Sequence, residues 1–103
     1  MAFQLIVMYH HPEDVTAFDE HYDSVHAPIA ARLPGLCSYT VMRPAPVRGE
    51  RPPYHLIAVL TFDDEDAYNA GMAGEEGKAA VADLANFAGA GVTMVTGPAN
   101  AVV

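Results

Sequence analysis

Four apolar runs of strand length, separated by two helical segments, constrain the fold of this chain more than any other feature. The first helical segment lies between the first and second runs, and the second lies between the third and fourth. The element order is therefore β-α-β-β-α-β. No repeat, low-complexity tract or linker divides the chain, so residues 1–103 are predicted to form a single domain. The four predicted strands are Phe3–His11, Leu36–Met42, Tyr54–Phe62 and Val92–Thr96.

The first helical segment begins at Glu13 and is amphipathic, because its apolar residues recur at steps of three and four. Pro28 lies within this pattern. Proline cannot donate a hydrogen bond to the preceding turn, and it biases Ala27 away from helical angles. A kink or break is therefore predicted near His26. The predicted core stripe consists of Val15, Phe18, Tyr22, Val25, Ile29 and Leu33.

The second helical segment is predicted to begin at the acidic run Asp63–Asp66, since carboxylates favour a helix N-terminus. Glycines at positions 71, 74 and 77 should break it. The helix is then expected to resume at Lys78–Phe87, with its core side formed by Val81, Leu84 and Ala88.

Composition points to a partner subunit. Of the 103 residues, 51% are hydrophobic and 17% are charged, and a chain this short buries only part of its apolar surface alone. A homodimer is therefore predicted. The apolar tail Ala101–Val103 is expected to lie at the dimer edge, because Pro98 cannot donate to a strand ladder.

The net charge narrows the choice of partners, and the N-terminal run and the cysteine content narrow the choice of compartment. The 13 acidic and 5 basic residues give a formal charge of −8, which disfavours nucleic acid and anionic membranes. The N-terminal apolar run is too short to span a bilayer and carries no basic leader. A lone cysteine, Cys37, suits a reducing compartment. A cytoplasmic protein is expected.

Five histidines raise the question of a metal site. At roughly 100° per residue, His21 and His26 fall on opposite sides of the core stripe, so they should not share one ion. His10 and His11 point to opposite faces of a strand. No HExxH or CxxC pattern occurs, and no metal ligand is predicted.

Tyr22 and His26 are four residues apart and should be neighbours on the helix. A partly buried histidine beside a tyrosine suits proton transfer, because its unperturbed pKa lies near neutrality. A structural histidine that caps the kink explains the same spacing. Cys37 shares a strand face with Tyr39 and Val41, and it is predicted to be a small buried hydrophobe rather than a nucleophile.

Two linked motifs carry a family resemblance. The run His21-Tyr22-Asp23-Ser24-Val25-His26-Ala27-Pro28, followed by Leu33-Pro34-Gly35-Leu36-Cys37-Ser38-Tyr39, resembles the signature of the EthD family, named for its association with ethyl tert-butyl ether degradation. The resemblance implies a ferredoxin-like α+β fold that forms a dimeric α/β barrel. It also implies chemistry without a cofactor, as in the isomerases, cyclases, decarboxylases and oxygenases of that superfamily.

The resemblance also implies site residues. Its histidine falls on His26 and its tyrosines on Tyr22 and Tyr39, which gives a general acid or base with two groups that orient a substrate oxygen. The predicted substrate contacts are His21, His55 and Cys37. A related lactone-isomerising branch uses a cysteine in the second half of the chain, where this sequence has none, so thiol-assisted isomerisation is not expected. The predicted function is an enzyme for a small apolar or aromatic metabolite; the alternative is a non-catalytic binding or accessory protein for such a molecule.

Overall fold

The computed structural model describes all residues, Met1–Val103, and has the predicted element order. The elements are β1 Ala2–Tyr9, α1 Val15–His21, a π-helical turn Tyr22–His26, α2 Ala27–Ala30, β2 Leu36–Met42, β3 Leu56–Phe62, α3 Glu65–Ala73, α4 Glu75–Phe87 and β4 Val92–Ala99. The strands form one antiparallel sheet in the order β2-β3-β1-β4, which is the ferredoxin-like arrangement. The predicted α+β fold class is confirmed.

The helices pack on one face of the sheet. Strands β1 and β3 alternate between buried and partly buried residues, because successive side chains of a strand point to opposite faces. The buried set forms the core with the first helical segment: Leu5, Val7, Tyr9, Leu56, Ala58, Leu60 and Phe62. The opposite face carries the apolar side chains Ile6, Met8, Ile57 and Val59, which are only partly buried within this chain.

Pro28 does not break the first helical segment. The N–H of Ala27 donates to the carbonyl of Tyr22, five residues earlier, and Ala27 keeps helical angles. The prediction of a non-helical Ala27 is therefore wrong. A wider π turn replaces the α-helical hydrogen bonding at Tyr22–His26, close to where a kink or break was predicted, and separates the proline ring from the preceding turn, while the backbone of Ala27 stays helical.

The π turn changes which residues face the core. Buried residues of this segment are Phe18, Tyr22, His26, Ala30 and Leu33, whereas Val25 is 40% exposed. The extra residue in the π turn rotates the positions that follow it. A helical wheel drawn at roughly 100° per residue therefore gives the wrong side-chain directions after this turn. His26 consequently lies on the core stripe rather than beside it.

The second helical segment is divided at Gly74, which confirms the predicted break, and Asp64 caps α3 by accepting from the N–H of Ala67. The predicted core side of α4 is partly wrong. Val81 is 54% exposed, and the buried positions of α4 are Gly77, Ala80 and Asp83. The face that packs inward is the one on which glycine and alanine allow close approach.

Replacing Gly71 by alanine is expected to lower the free energy of unfolding by about 2 kcal/mol. A Cβ at this position would lie 2.5 Å from the carbonyl oxygen of Pro34, so the turn after α2 would have to move. Chemical denaturation measures the effect. Gly89→Ala is the control, because a Cβ there has no atom within 4 Å; equal stability of the two variants would contradict the packing argument.

Strand β2 has the predicted bounds, whereas β1 ends at Tyr9 rather than His11, β3 begins at Leu56 rather than Tyr54 and β4 ends at Ala99 rather than Thr96. A bulge between Leu36 and Ser38 shifts the register of β2 against β3, which places Leu36 on the helix side with Tyr39. Cys37 is exposed, so its prediction as a buried hydrophobe is wrong. Strand β4 continues through Pro98 to Ala99; it is an edge strand, where a missing N–H is tolerated.

The C-terminal residues Val102 and Val103 are exposed and lie outside the strands of the sheet. Their predicted place at a dimer edge stays a prediction. No helix has both the length and the apolar character needed to cross a membrane.

Candidate functional site

An apolar cavity lies between the sheet and the helices. All but one of its 15 lining residues are hydrophobic, and the exception is His26. The volume is about 50 Å³, which is room for a few water molecules. Its polar edge is formed by His26 with the tyrosines Tyr9, Tyr22 and Tyr39.

His26 is paired with a carboxylate from the second half of the chain. Its Nδ1 lies 2.9 Å from Oδ2 of Asp83 on α4, and both residues are 5% exposed. The Phe87 ring centroid lies 4.8 Å from that of the imidazole and limits access of water to the pair. The π turn and α4 thus build a histidine–aspartate pair beside the cavity.

The hydrogen-bond partners define the tautomer of His26. A carboxylate accepts, so Nδ1 carries the proton and the lone pair of the neutral ring lies on Nε2. Tyr9 O–H then donates to Nε2 at 3.3 Å, which is long for a hydrogen bond to a ring nitrogen. Burial lowers the pKa of His26 and outweighs the opposing effect of Asp83, while burial raises the pKa of Tyr9. Both groups are neutral near pH 7.

Asp83 accepts hydrogen bonds from three side chains. Besides His26, Nε2 of His21 lies 2.9 Å from its Oδ1 and Asn86 Nδ2 lies 2.9 Å from the same oxygen. Partial desolvation raises the pKa of Asp83, but the hydrogen bonds from Asn86, His21 and His26 lower it overall. The carboxylate is therefore ionised and held in one orientation. The two histidines, predicted to lie apart, share this one group.

Tyr22 and Tyr39 form a second polar pair at the cavity. Their hydroxyl oxygens are hydrogen-bonded, and burial raises the pKa of both phenols. The predicted proximity of Tyr22 to His26 also holds, with ring centroids 5.4 Å apart. Two neutral, mutually hydrogen-bonded phenols thus belong to the same cavity lining as His26.

The remaining predicted contacts lie outside the cavity. His21 is hydrogen-bonded to Asp83 but does not line the cavity; it lines a separate surface cleft between α1 and α4. His55 Nε2 lies 2.9 Å from Oδ1 of Asp19. The Cys37 thiol lies 3.2 Å from Asp63 Oδ1, and this hydrogen bond raises its pKa, which disfavours the thiolate.

Two residues of the site escaped the sequence analysis. Tyr9 ends the buried alternation Phe3, Leu5, Val7 on β1, and its polar tip at the end of an apolar face is a weak signal. Asp83 lies among small and apolar residues on the buried side of α4. A single carboxylate on an apolar helix face is the pattern that could have identified it.

The free energy of unfolding is expected to fall as the pH is lowered below about 6.5, the unfolded pKa of histidine. His26 has a lower pKa in the folded protein, so the unfolded chain binds more protons in this interval and stability rises with pH. Asp83, whose folded pKa is also lowered, adds a further loss below about pH 4. Denaturation of the wild type and His26→Gln across pH 4.5–7.5 checks this; identical slopes would contradict it.

Comparison with known proteins gives consistent matches over nearly all of the chain. The EthD domain family matches residues 10–91. An uncharacterized 11.0 kDa protein from the thcB–thcC intergenic region of Rhodococcus erythropolis is 36% identical over 93 residues, which is 90% of each chain. An ethyl tert-butyl ether degradation (EthD) family protein of Bacillus halodurans is 35% identical, with a TM-score of 0.91 over 97% of this chain and all of the other.

More distant solved structures share the fold. A dimeric ferredoxin-like protein of unknown function from Thermobifida fusca is 18% identical, with a TM-score of 0.71 over 94% of this chain and 90% of its own. SnoaB of Streptomyces nogalater, described as a cofactor-independent oxygenase, is 17% identical, with a TM-score of 0.67 over 99% and 95%. These two likenesses concern the fold alone.

Proposed function

The chain belongs to the EthD family, as its motifs predicted, and we propose that it is an enzyme that uses no cofactor and acts on a small apolar or aromatic molecule. The observation that carries the proposal is the buried His26–Asp83 pair beside an apolar cavity. A neutral imidazole with its lone pair on Nε2 is a general base, and the carboxylate behind it stabilises the imidazolium that forms.

His26 is proposed to remove a proton from a hydroxyl or an activated carbon of the bound molecule. The proton goes to Nε2, while the N–H at Nδ1 stays hydrogen-bonded to Asp83. Water around the pair is limited by Phe87, and charge interactions are stronger in such a site than in solvent. The imidazolium can later return its proton to another atom of the same molecule.

The tyrosines are proposed to orient an oxygen of the substrate. Tyr22 and Tyr39 present neutral hydroxyls, and a phenol with a raised pKa stays a hydrogen-bond donor at neutral pH. Tyr9 donates a long hydrogen bond to Nε2, and a substrate oxygen that displaces it can accept from the Tyr9 O–H, so that this buried donor keeps a partner. The rest of the lining favours a hydrocarbon ring or chain.

One other protein of this fold gives a precedent for chemistry without a cofactor. SnoaB is described as a cofactor-independent oxygenase, and a fold can host several chemistries. Removal of a proton from an oxygen or an activated carbon is a step that isomerases, cyclases and oxygenases can share. The proposal covers reactions that include this proton removal and does not choose among these enzyme types. A link to ether degradation rests on the family name alone.

A homodimer is part of the proposal. The helix-free sheet face carries Ile6, Met8, Ile57 and Val59, and a face of this kind is normally covered. The relative from Thermobifida fusca is described as dimeric. Light scattering should give twice the mass of the 11.0 kDa chain. Single-domain organisation over residues 1–103, and a location in the cytoplasm, remain predictions.

A ligand screen followed by product analysis tests the function. Lactones, phenols and polyketide-like acids are screened by thermal shift, because a molecule that binds the folded state raises its stability. Each hit is then incubated with chelator-treated protein and analysed by mass spectrometry and NMR. Conversion without added cofactor supports the proposal. A ligand that binds beside His26 and is recovered unchanged would favour the binding or accessory role.

A further inference from the structure

The opening of the apolar cavity can be located from the exposure of its lining residues. Ten of the 15 lining residues are at most 8% exposed, and Tyr39, Met72 and Leu84 are partly buried against the core. The other two are Val81, which is 54% exposed, and Met94, which is 46% exposed. A molecule that enters from solvent therefore meets these two side chains first.

Val81 and Met94 come from different elements that border the same opening. Val81 lies on α4, between the buried Ala80 and Asp83. Met94 lies on β4, an edge strand, and pairs in register with the cavity residue Val7 of β1. The mouth is thus a gap between helix α4 and the sheet edge formed by β4.

The cavity is too small for its proposed occupant unless side chains move. At about 50 Å³ it falls well short of the roughly 150 Å³ of a cavity that binds benzene. The buried lining residues are held by neighbours on every side except that of the cavity, so they resist outward displacement. Met94 has an unbranched, flexible side chain that is already half in solvent, so its displacement costs little. Val81 has less freedom and sets a firmer limit.

We infer that Val81 and Met94 form the mouth of the cavity and determine the size of the ring that reaches His26. The substrate class that this mouth admits is a flat, largely apolar molecule of one ring with a single hydroxyl or comparable acidic group. Fused rings are disfavoured by the two side chains rather than by the catalytic group. This inference rests on the proposed function for its substrate, but its test measures binding and needs no turnover.

Phenol and 1-naphthol are the probes, one ring and two. Binding is followed in full-length protein through the NMR signal of the His26 imidazole Cε1–H, which reports arrival at the site. In the wild type, phenol should bind at least tenfold more tightly than 1-naphthol. Val81→Ala and Met94→Ala should each raise the affinity for 1-naphthol by about tenfold, and leave that for phenol within twofold.

Val15→Ala is the matched control, because Val15 is 48% exposed on α1 and does not line the cavity. It should leave both affinities unchanged. Both mouth residues are exposed, so their variants should fold, which thermal melting checks. Unchanged 1-naphthol affinity in both variants would overturn the inference, as would failure of phenol to shift the His26 signal in any variant. If the two variants bind 1-naphthol more tightly but the protein converts no ligand, the result would count against the proposed function and not against this inference.

Discussion

Replacement of His26 by glutamine is expected to lower the turnover of a confirmed substrate by about 10²- to 10⁴-fold, the usual contribution of a general acid or base. Glutamine keeps a donor that can reach Asp83, but its amide has no basic nitrogen at the position of Nε2. Binding of the same ligand should change little, because the apolar lining is intact. The readouts are the single-turnover rate and the dissociation constant, measured separately.

The matched control for this variant is His55→Gln. His55 forms the same kind of hydrogen bond to a carboxylate, 2.9 Å to Asp19, but lies outside the cavity. Its turnover should stay within a few-fold of the wild type. If His26→Gln retains full turnover while folded and dimeric, His26 is the structural histidine of the alternative reading.

Removal of the Asp83 carboxylate is expected to have the second large effect, on both tautomer and stability. In Asp83→Asn the anionic acceptor for Nδ1 is gone, so the population of His26 should shift toward the tautomer with its proton on Nε2, where it cannot act as a base. Turnover should fall about as far as in His26→Gln. The ¹⁵N chemical shifts of the ring report the tautomer directly, even without a substrate.

Asp83→Ala should in addition lower the free energy of unfolding by on the order of 3 kcal/mol, because three buried or partly buried donors lose a charged acceptor. Asp19→Ala is the control: its carboxylate is about a third exposed, and an exposed pair contributes roughly 1 kcal/mol or less.

The double variant His26→Gln, Asp83→Asn should turn over the substrate no more slowly than either single variant, since the two residues act as a unit. Additive losses would show that they act independently.

Local patterns were sufficient for the element order. The bounds of β2 and the start of the second helical segment at the acidic run Asp63–Asp66 were predicted, because strand alternation and the preference of carboxylates for a helix N-terminus act over a few residues. The motif around His26 was sufficient for the family. The same local reasoning failed at Ala27, because it assumed a uniform helical turn where Pro28 is accommodated by a π turn.

Half of the candidate site follows from the sequence and half does not. Tyr22, His26 and Tyr39 lie within 18 positions of one another, and helix spacing or motif resemblance places them together. Asp83 lies 57 positions from His26, and no periodicity connects α4 to the π turn. Which side of α4 packs inward depends on close approach at Gly77 and Ala80, and so on the neighbouring helix.

The sequence by itself therefore determined the strands, the helices, their order and the histidine–tyrosine neighbourhood, because these depend on propensities and periods of a few residues. Only the tertiary structure decided that His26 faces the core, that His21 and His26 share Asp83, and that the cavity opens between Val81 and Met94. These features depend on the rotation of one helix against another, and a single residue inserted in a turn changes that rotation without a clear mark in the pattern.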